Sequence, residues 1–249
     1  MIAGSWPKAV VKRLAGSRSP SRLPLHLVAP AVLVAGAMLL PIVYLLIRAA
    51  GADAAAWSQL FRPRIAEVLG RSLLLAAAVT VSANVIAIPL AYLTVRTDLP
   101  GRRVWVVITA LPLVIPSYVG SFALIAALGP RGLLQQVLAG PLGIERLPPI
   151  YGFPGAWFAL TLFAYPYVLL NARAALQGLD PAIEDAARSL GDSPWMVFRR
   201  VTLPQLWPAL ASGSLLVALY VLADFGAVSM LRYTTFTRAI YVQYTATLD

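Results

Sequence analysis

An all-α, polytopic transmembrane helical bundle is the fold class this sequence predicts, and three observations predict it. Only 12% of the 249 residues are charged, where a soluble globular domain carries about 25%. The mean hydropathy is +0.77. The apolar residues gather in five long runs, each near the roughly 20 residues that cross a bilayer as a helix. A chain so poor in charge cannot cover a water-facing surface, so lipid is its solvent over much of its area.

The runs follow one another with basic punctuation. Residues 1–24 are polar and carry Lys8, Lys12, Arg13, Arg18 and Arg22 without an acid. They are read as a basic segment ahead of a transmembrane domain at 25–249. The first span, 25–47, contains the single His26 and no charge. It exceeds the apolar stretch of about 7–15 residues in a signal peptide, so it is read as an uncleaved span. The second span, 72–95, lies between Arg71 and Arg96, and the third, 104–128, is entered through Arg102 and Arg103. The fourth is 152–172. The fifth, 207–231, contains one acid, Asp224, and the remaining residues 232–249 are too polar to cross. Gly129–Gly132 and Pro148–Gly152 read as turns, with a short helix over 133–138 between them.

Lys and Arg accumulate on the cytoplasmic side of membrane proteins, and the basic N-terminus sets the orientation here. Segments 1–24, 96–103 and 173–206 are then cytoplasmic and hold 12 of the 20 Lys and Arg residues. The localisation expected is a bacterial inner membrane, crossed several times, with the N-terminus inside.

Several function classes fall away. The net charge is +10, but the arginines sit at span ends, where topology uses them, so nucleic acid is not an expected partner. Cysteine is absent, which removes disulfides and thiolate chemistry, and one histidine makes neither a zinc set nor a catalytic triad. No Gly-x4-Gly-Lys-Ser/Thr phosphate loop occurs, so the chain is not expected to hydrolyse ATP itself. An ion-driven secondary transporter predicts more intramembrane charge or an inverted repeat, and neither is visible.

Five prolines, Pro41, Pro89, Pro112, Pro116 and Pro166, lie inside the spans. A bundle tolerates such kinks because neighbouring helices satisfy the freed carbonyls. The pair Pro112 and Pro116, with Ser117 and Tyr118 beside it, is the place where a break would line a substrate path.

The segment before the fifth span, 177–206, is too well capped to be a slack connection. Asp180 caps a helix that starts at Pro181. Glu184 and Asp185 lie near the positive end of its dipole. Gly191 stops it and needs a positive φ. At 100° per residue, Ala182, Ile183, Ala186, Ala187 and Leu190 share one arc, and Glu184, Asp185, Arg188 and Ser189 the other. Ser193 and Pro194 open a second helix expected to run from Trp195 to Val201 and to end at Leu203-Pro204. The result is a helix–turn–helix elbow with small residues for close approach and charges for an aqueous partner.

Asp185-Ala186-Ala187, three residues, Gly191, nine residues, then Val201-Thr202-Leu203-Pro204 resembles the EAA loop of ATP-binding-cassette (ABC) importer permeases. Asp185 stands where that family has Glu, and Val201 where it has Ile. The resemblance implies a type I ABC importer permease fold and a coupling role for Asp180, Glu184, Asp185, Ala186, Ala187, Gly191, Val201, Leu203 and Pro204. It implies as partners a cytoplasmic ABC ATPase dimer, which brings the ATP and Mg, a periplasmic substrate-binding protein, and a second permease half or copy in the membrane lipid. No cofactor is expected in this chain. The family core commonly has six spans per half, so a sixth is expected beyond residue 249, in a longer or fused permease.

A narrower resemblance concerns substrate. Ala223-Asp224-Phe225-Gly226-Ala227-Val228-Ser229, with Leu231-Arg232-Tyr233 and Ala239-Ile240-Tyr241, is similar to the ferric-iron branch, with thiamine and polyamine permeases as near relatives. Asp224 is the one carboxylate within a span, and intramembrane acids are functional candidates by default. It could meet a hard cation with Tyr220, one turn back, and Ser229. It could equally pair with Arg232 or cap a helix break before Gly226. Tyr118, Pro112 and Pro116 complete the candidate substrate pathway, and no fixed metal site is expected.

Overall fold

The computed structural model describes residues 25–52, 57–58, 61–130, 132–142 and 149–248. The basic segment 1–24 lies outside the described residues. The chain divides into two units, Met1–Phe61 and Arg62–Asp249.

The first unit contains α1, Leu25–Ala50, which includes Pro30 and Pro41. Its 26 residues extend about 39 Å at 1.5 Å per residue, enough to span a hydrocarbon core of about 30 Å. Large apolar side chains such as Leu33, Met38, Leu40 and Ile47 cover it.

The second unit is built on three long helices: α2 Pro63–Arg96, α6 Phe153–Gly178, and α9 Leu203–Ala223. Between them run α3 Arg102–Ala110, a 3₁₀ turn Leu111–Val114, α4 Ser117–Leu128 and α5 Leu133–Leu142. The elbow comprises α7 Pro181–Ser189, α8 Pro194–Val197 and a π turn Phe198–Thr202, and α10 Gly226–Met230 and α11 Phe236–Leu248 close the chain. Five stretches are long and apolar enough to cross a membrane among the described residues, as the composition requires.

The core lies where α6 packs between α2 and α9. Leu160, Val168, Leu169 and Leu176 of α6 meet Leu75 and Val79 of α2 and Leu206, Leu210, Val217 and Val221 of α9, all buried. Without a hydrophobic drive between helices in lipid, close backbone approach must supply the attraction. The four-residue repeat Ala83, Ala87, Ala91 on α2 and Ala156, Ala159, Ala164, Ala172 on α6 are buried and small enough to permit it. Side-chain hydrogen bonds add to the packing. Asn84 Nδ2 donates to Ser214 Oγ at 2.7 Å, joining α2 to α9, and Trp157 Nε1 donates to Ser82 Oγ at 2.9 Å, joining α6 to α2. The opposite sides of α2 and α9 expose Leu73, Leu74, Val85, Leu215 and Leu219, an apolar surface suited to lipid.

The second span begins at Pro63, nine residues before the sequence reading, and the fourth runs on to Gly178; two others are interrupted where the sequence reading had them continuous. The third is not one helix over 104–128. Pro112 sits in the 3₁₀ turn, Ile115 is extended (φ −84°, ψ 118°), and Pro116 (φ −57°, ψ 135°) precedes α4. The cause is local: a residue before proline is pushed out of the helical region. The fifth span starts at Leu203 and stops at Ala223, not Leu231. There the chain turns at Asp224 (ψ 130°) before α10 begins.

Candidate functional site

Two sites lie at opposite ends of α9, whose 21 residues separate them by about 31 Å, one hydrocarbon thickness. The first is the elbow. Asp180 Oδ1 accepts from the Ala182 N–H at 3.0 Å and Pro181 occupies the first turn. At the other end Asp192 N–H donates to the Ala187 carbonyl at 3.2 Å and Gly191 N–H to the Arg188 carbonyl at 3.0 Å. These two bonds are the Schellman closure, which needs a left-handed residue. Gly191 has φ +95°. Ser193 Oγ then accepts from the Met196 N–H at 3.4 Å and opens α8.

The second elbow helix does not end at Leu203-Pro204. It passes through the π turn into α9 without a break, and Pro204 lies in the first turn of α9. A proline lacks the N–H and crowds the carbonyl four residues back. The wider π ladder over Phe198–Thr202 relieves both, so the elbow is continuous with the fifth span.

The polar side of α7 also differs from expectation. Glu184, expected to face an aqueous partner, is turned inward and is the one buried residue of α7. Its side chain is 6% exposed, against 68% for Asp185. Glu184 Oε1 lies 3.3 Å from Arg96 Nε and accepts from the Thr202 hydroxyl at 3.0 Å. Arg96 also donates to the Leu179 carbonyl at 3.1 Å. The elbow's exposed surface is mixed, with Asp185, Arg188 and Ser189 beside large apolar residues. Leu190 is 88% exposed, and Ile183 and Trp195 are exposed too. Ala182 and Ala186 are exposed and Ala187 is half-buried. Val201 and Leu203 are half-buried within the π turn and the start of α9. Beneath them, Phe198 packs edge-on against Tyr92 of α2, with ring centroids 5.3 Å apart.

The second site is a cavity of about 530 Å³ between α4, α9 and α10, lined by Ser117, Tyr118, Tyr220, Ala223, Asp224, Phe225, Gly226, Ser229 and Met230. The chain brings Asp224, Tyr220 and Tyr118 together from positions a hundred residues apart, and Ser229 joins them. Pro112 and Pro116 do not line the cavity; Pro116 starts the helix that carries Ser117 and Tyr118 into it. Asp224 caps α10. Its Oδ1 accepts from the Ala227 N–H at 2.9 Å and the Val228 N–H at 3.4 Å. Arg232 does not pair with it; the guanidinium stacks on the Tyr151 ring at 4.7 Å. Gly226 lets α4 and α10 close on the cavity, because a Cβ there would lie 2.8 Å from Tyr118 Cβ. Gly226→Val is therefore expected to lower the amount of protein in the membrane severalfold, through overpacking of about 1–3 kcal/mol, as measured by quantitative immunoblotting of membranes.

Sequence reasoning missed Arg96 and Thr202 as site residues, and named Ser117 only as a neighbour of the proline pair. Arg96 was visible only as a charge flanking a span. Thr202 fell in a variable position of the loop pattern, and the importance of Ser117 depends on α10 folding back against α4.

Residues 83–247 match the family model for the inner membrane component of binding-protein-dependent transport systems. The chain belongs to that family. The Fe(3+)-transport system permease protein FbpB 2 of Haemophilus influenzae is 35% identical over 226 residues, covering 90% of this chain and 41% of the relative. The molybdenum transport system permease protein ModB of Escherichia coli is 34% identical over 137 residues, 55% of this chain and 58% of that one. The chain thus spans about half the length of these relatives. A bacterial alginate ABC transporter superposes with a TM-score of 0.68 at 19% identity over 85% of this chain and 77% of the other. An amino acid ABC transporter gives 0.55 at 22% identity over 80% and 85%. The fold is therefore that of an ABC importer permease, and the protein is a multi-pass membrane protein.

Proposed function

We propose that this chain is the transmembrane subunit of an ABC importer that takes up ferric iron delivered by a periplasmic binding protein, powered by a separate cytoplasmic ATPase. One observation carries the coupling half of that reading: a rigidly capped elbow, with large apolar side chains exposed among its charged ones, is continuous with the helix that ends at the cavity. An exposed Leu190 beside Ile183 and Trp195 is costly in water at about 1.5–3 kcal/mol per large apolar side chain left unburied. It suits insertion into a cleft on an ATPase, with Asp185 at the rim. Displacement of the elbow then moves α9 along its whole length. Asp180, Ala186, Ala187, Gly191, Val201, Leu203 and Pro204 shape and carry the lever.

The substrate reading rests on the cavity. Its lining contains one ionisable acid, Asp224, and no Lys or Arg. A carboxylate with phenol and hydroxyl oxygens around it suits a hard cation and repels an oxyanion such as molybdate. The iron permease relative of Haemophilus influenzae supports the same choice. Proteoliposomes holding the complete transporter should accumulate radiolabelled ferric iron from its binding protein in an ATP-dependent way, and should not accumulate molybdate. Molybdate uptake without iron uptake would replace this reading.

The orientation follows from the basic N-terminus and places the elbow in the cytoplasm. A reporter enzyme active only outside the cytoplasm is expected to be inactive when fused after Gly191 and active when fused after Gly140. The reverse pattern would remove the elbow from reach of any ATPase.

A further inference from the structure

The large apolar side chains of α7 and its closing turn, Ile183 and Leu190, are exposed, so they contribute little to holding the elbow to the bundle. The buried residue of α7 is Glu184. That carboxylate meets three elements: Arg96, the last residue of α2, at 3.3 Å; Thr202, the last residue of the π turn, at 3.0 Å; and Arg188 of its own helix at 3.7 Å. Arg96, with its side chain 13% exposed, also holds the Leu179 carbonyl that leads into the elbow. An ion pair withdrawn from water gives little net stability, but losing one partner is costly because the other is left buried and uncompensated. Such a pair suits positioning better than general stabilisation.

We propose that Glu184 and Arg96 form a clamp that makes the elbow and the adjoining end of α2 one rigid body, so that a displacement of the elbow reaches α2 and α9 together. This rests on the coupling role proposed above. Glu184 is then a positioning residue inside the permease and not a contact to the ATPase. Without the clamp, the α8 end of the elbow keeps its buried Val197 and the Phe198–Tyr92 ring contact, while α7 can hinge at Leu179 and Gly191.

The test uses the complete transporter in proteoliposomes, reading ATP hydrolysed per ferric ion imported and the ATPase retained on the purified permease. Glu184→Gln keeps the shape and an acceptor for Thr202 but removes the charge facing Arg96. It is expected to raise the ATP used per ion by about tenfold, with ATPase retention unchanged. The charge-exchanged pair Glu184→Arg with Arg96→Glu should recover most of the coupling. Wild-type coupling in Glu184→Gln would overturn the clamp, as would loss of the ATPase from that variant, which would make Glu184 a docking contact. Because the chain has no cysteine, Glu184→Cys with Arg96→Cys supplies a second arm that needs no buried charge. Joined by a short bifunctional thiol reagent, this pair should import iron near the wild-type ratio, and unjoined it should be uncoupled. A joined transporter that hydrolyses ATP without import would show that the two positions must separate, and the clamp would fall. Wild-type permease that retains no ATPase at all would instead remove the coupling role and leave the clamp as structure alone.

Discussion

Gly191→Val is expected to reduce binding-protein-dependent uptake by about tenfold or more while the permease still reaches the membrane. The cause is backbone conformation, not lack of space. Nothing lies within 4 Å of a Cβ built at Gly191, yet its φ is +95°. A β-branched residue is a genuine outlier in that region, and strain of this kind costs about 1–3 kcal/mol. The Schellman turn then relaxes, Asp192 N–H and Gly191 N–H lose their carbonyls, and α8 leaves α7 at a different angle. The ATPase meets a misaimed elbow. Asparagine visits the left-handed region more readily than other side-chain-bearing residues, so Gly191→Asn should be the mildest variant, Gly191→Ala intermediate and Gly191→Val the most severe. The checking measurement is uptake per permease molecule alongside ATPase retention. Equal effects of all three would point to lost contact with a partner surface and away from φ.

Asp224→Asn is the second substitution with a large expected effect. The carboxylate has one task the structure shows and a second that we propose. Its Oδ1 caps α10 through the Ala227 and Val228 N–H groups, and its charge faces the cavity shared with Tyr118 and Tyr220. Asparagine caps helices about as well as aspartate, so Asp224→Asn should preserve abundance and lower iron uptake severalfold. Asp224→Ala loses both tasks. It should in addition reduce abundance, by the cap's contribution of about 1 kcal/mol. Membrane abundance and radiolabelled iron uptake, measured on the same vesicles, separate the two tasks. Normal uptake per molecule in Asp224→Asn would leave Asp224 as a cap only.

The two sites share one mechanical element. A helix of 21 residues joins the elbow to the cavity, and Gly213 lets it approach the α6 backbone closely at Val168.

What the sequence determined by itself is the apolar runs and the caps of the elbow, which depend on residues within about one helical turn of one another. The apolar runs set the spans. Asp180, Pro181, Gly191, Ser193 and Pro194 each act on backbone groups no more than four residues away, so the elbow was readable before any contact was known. The tertiary structure decided what depends on distant partners. Helical periodicity divides α7 into two faces but cannot say which one turns inward, because that depends on Arg96, nearly ninety positions earlier, arriving beside Glu184. The same holds for the cavity. Asp224, Tyr220 and Tyr118 were each visible as candidates, but only the break after Ala223 and the return of α10 onto α4 make them neighbours. Hydropathy is blind to such breaks: Pro116 and Asp224 interrupt helices through missing or diverted backbone hydrogen bonds, while the apolar run carries on through both.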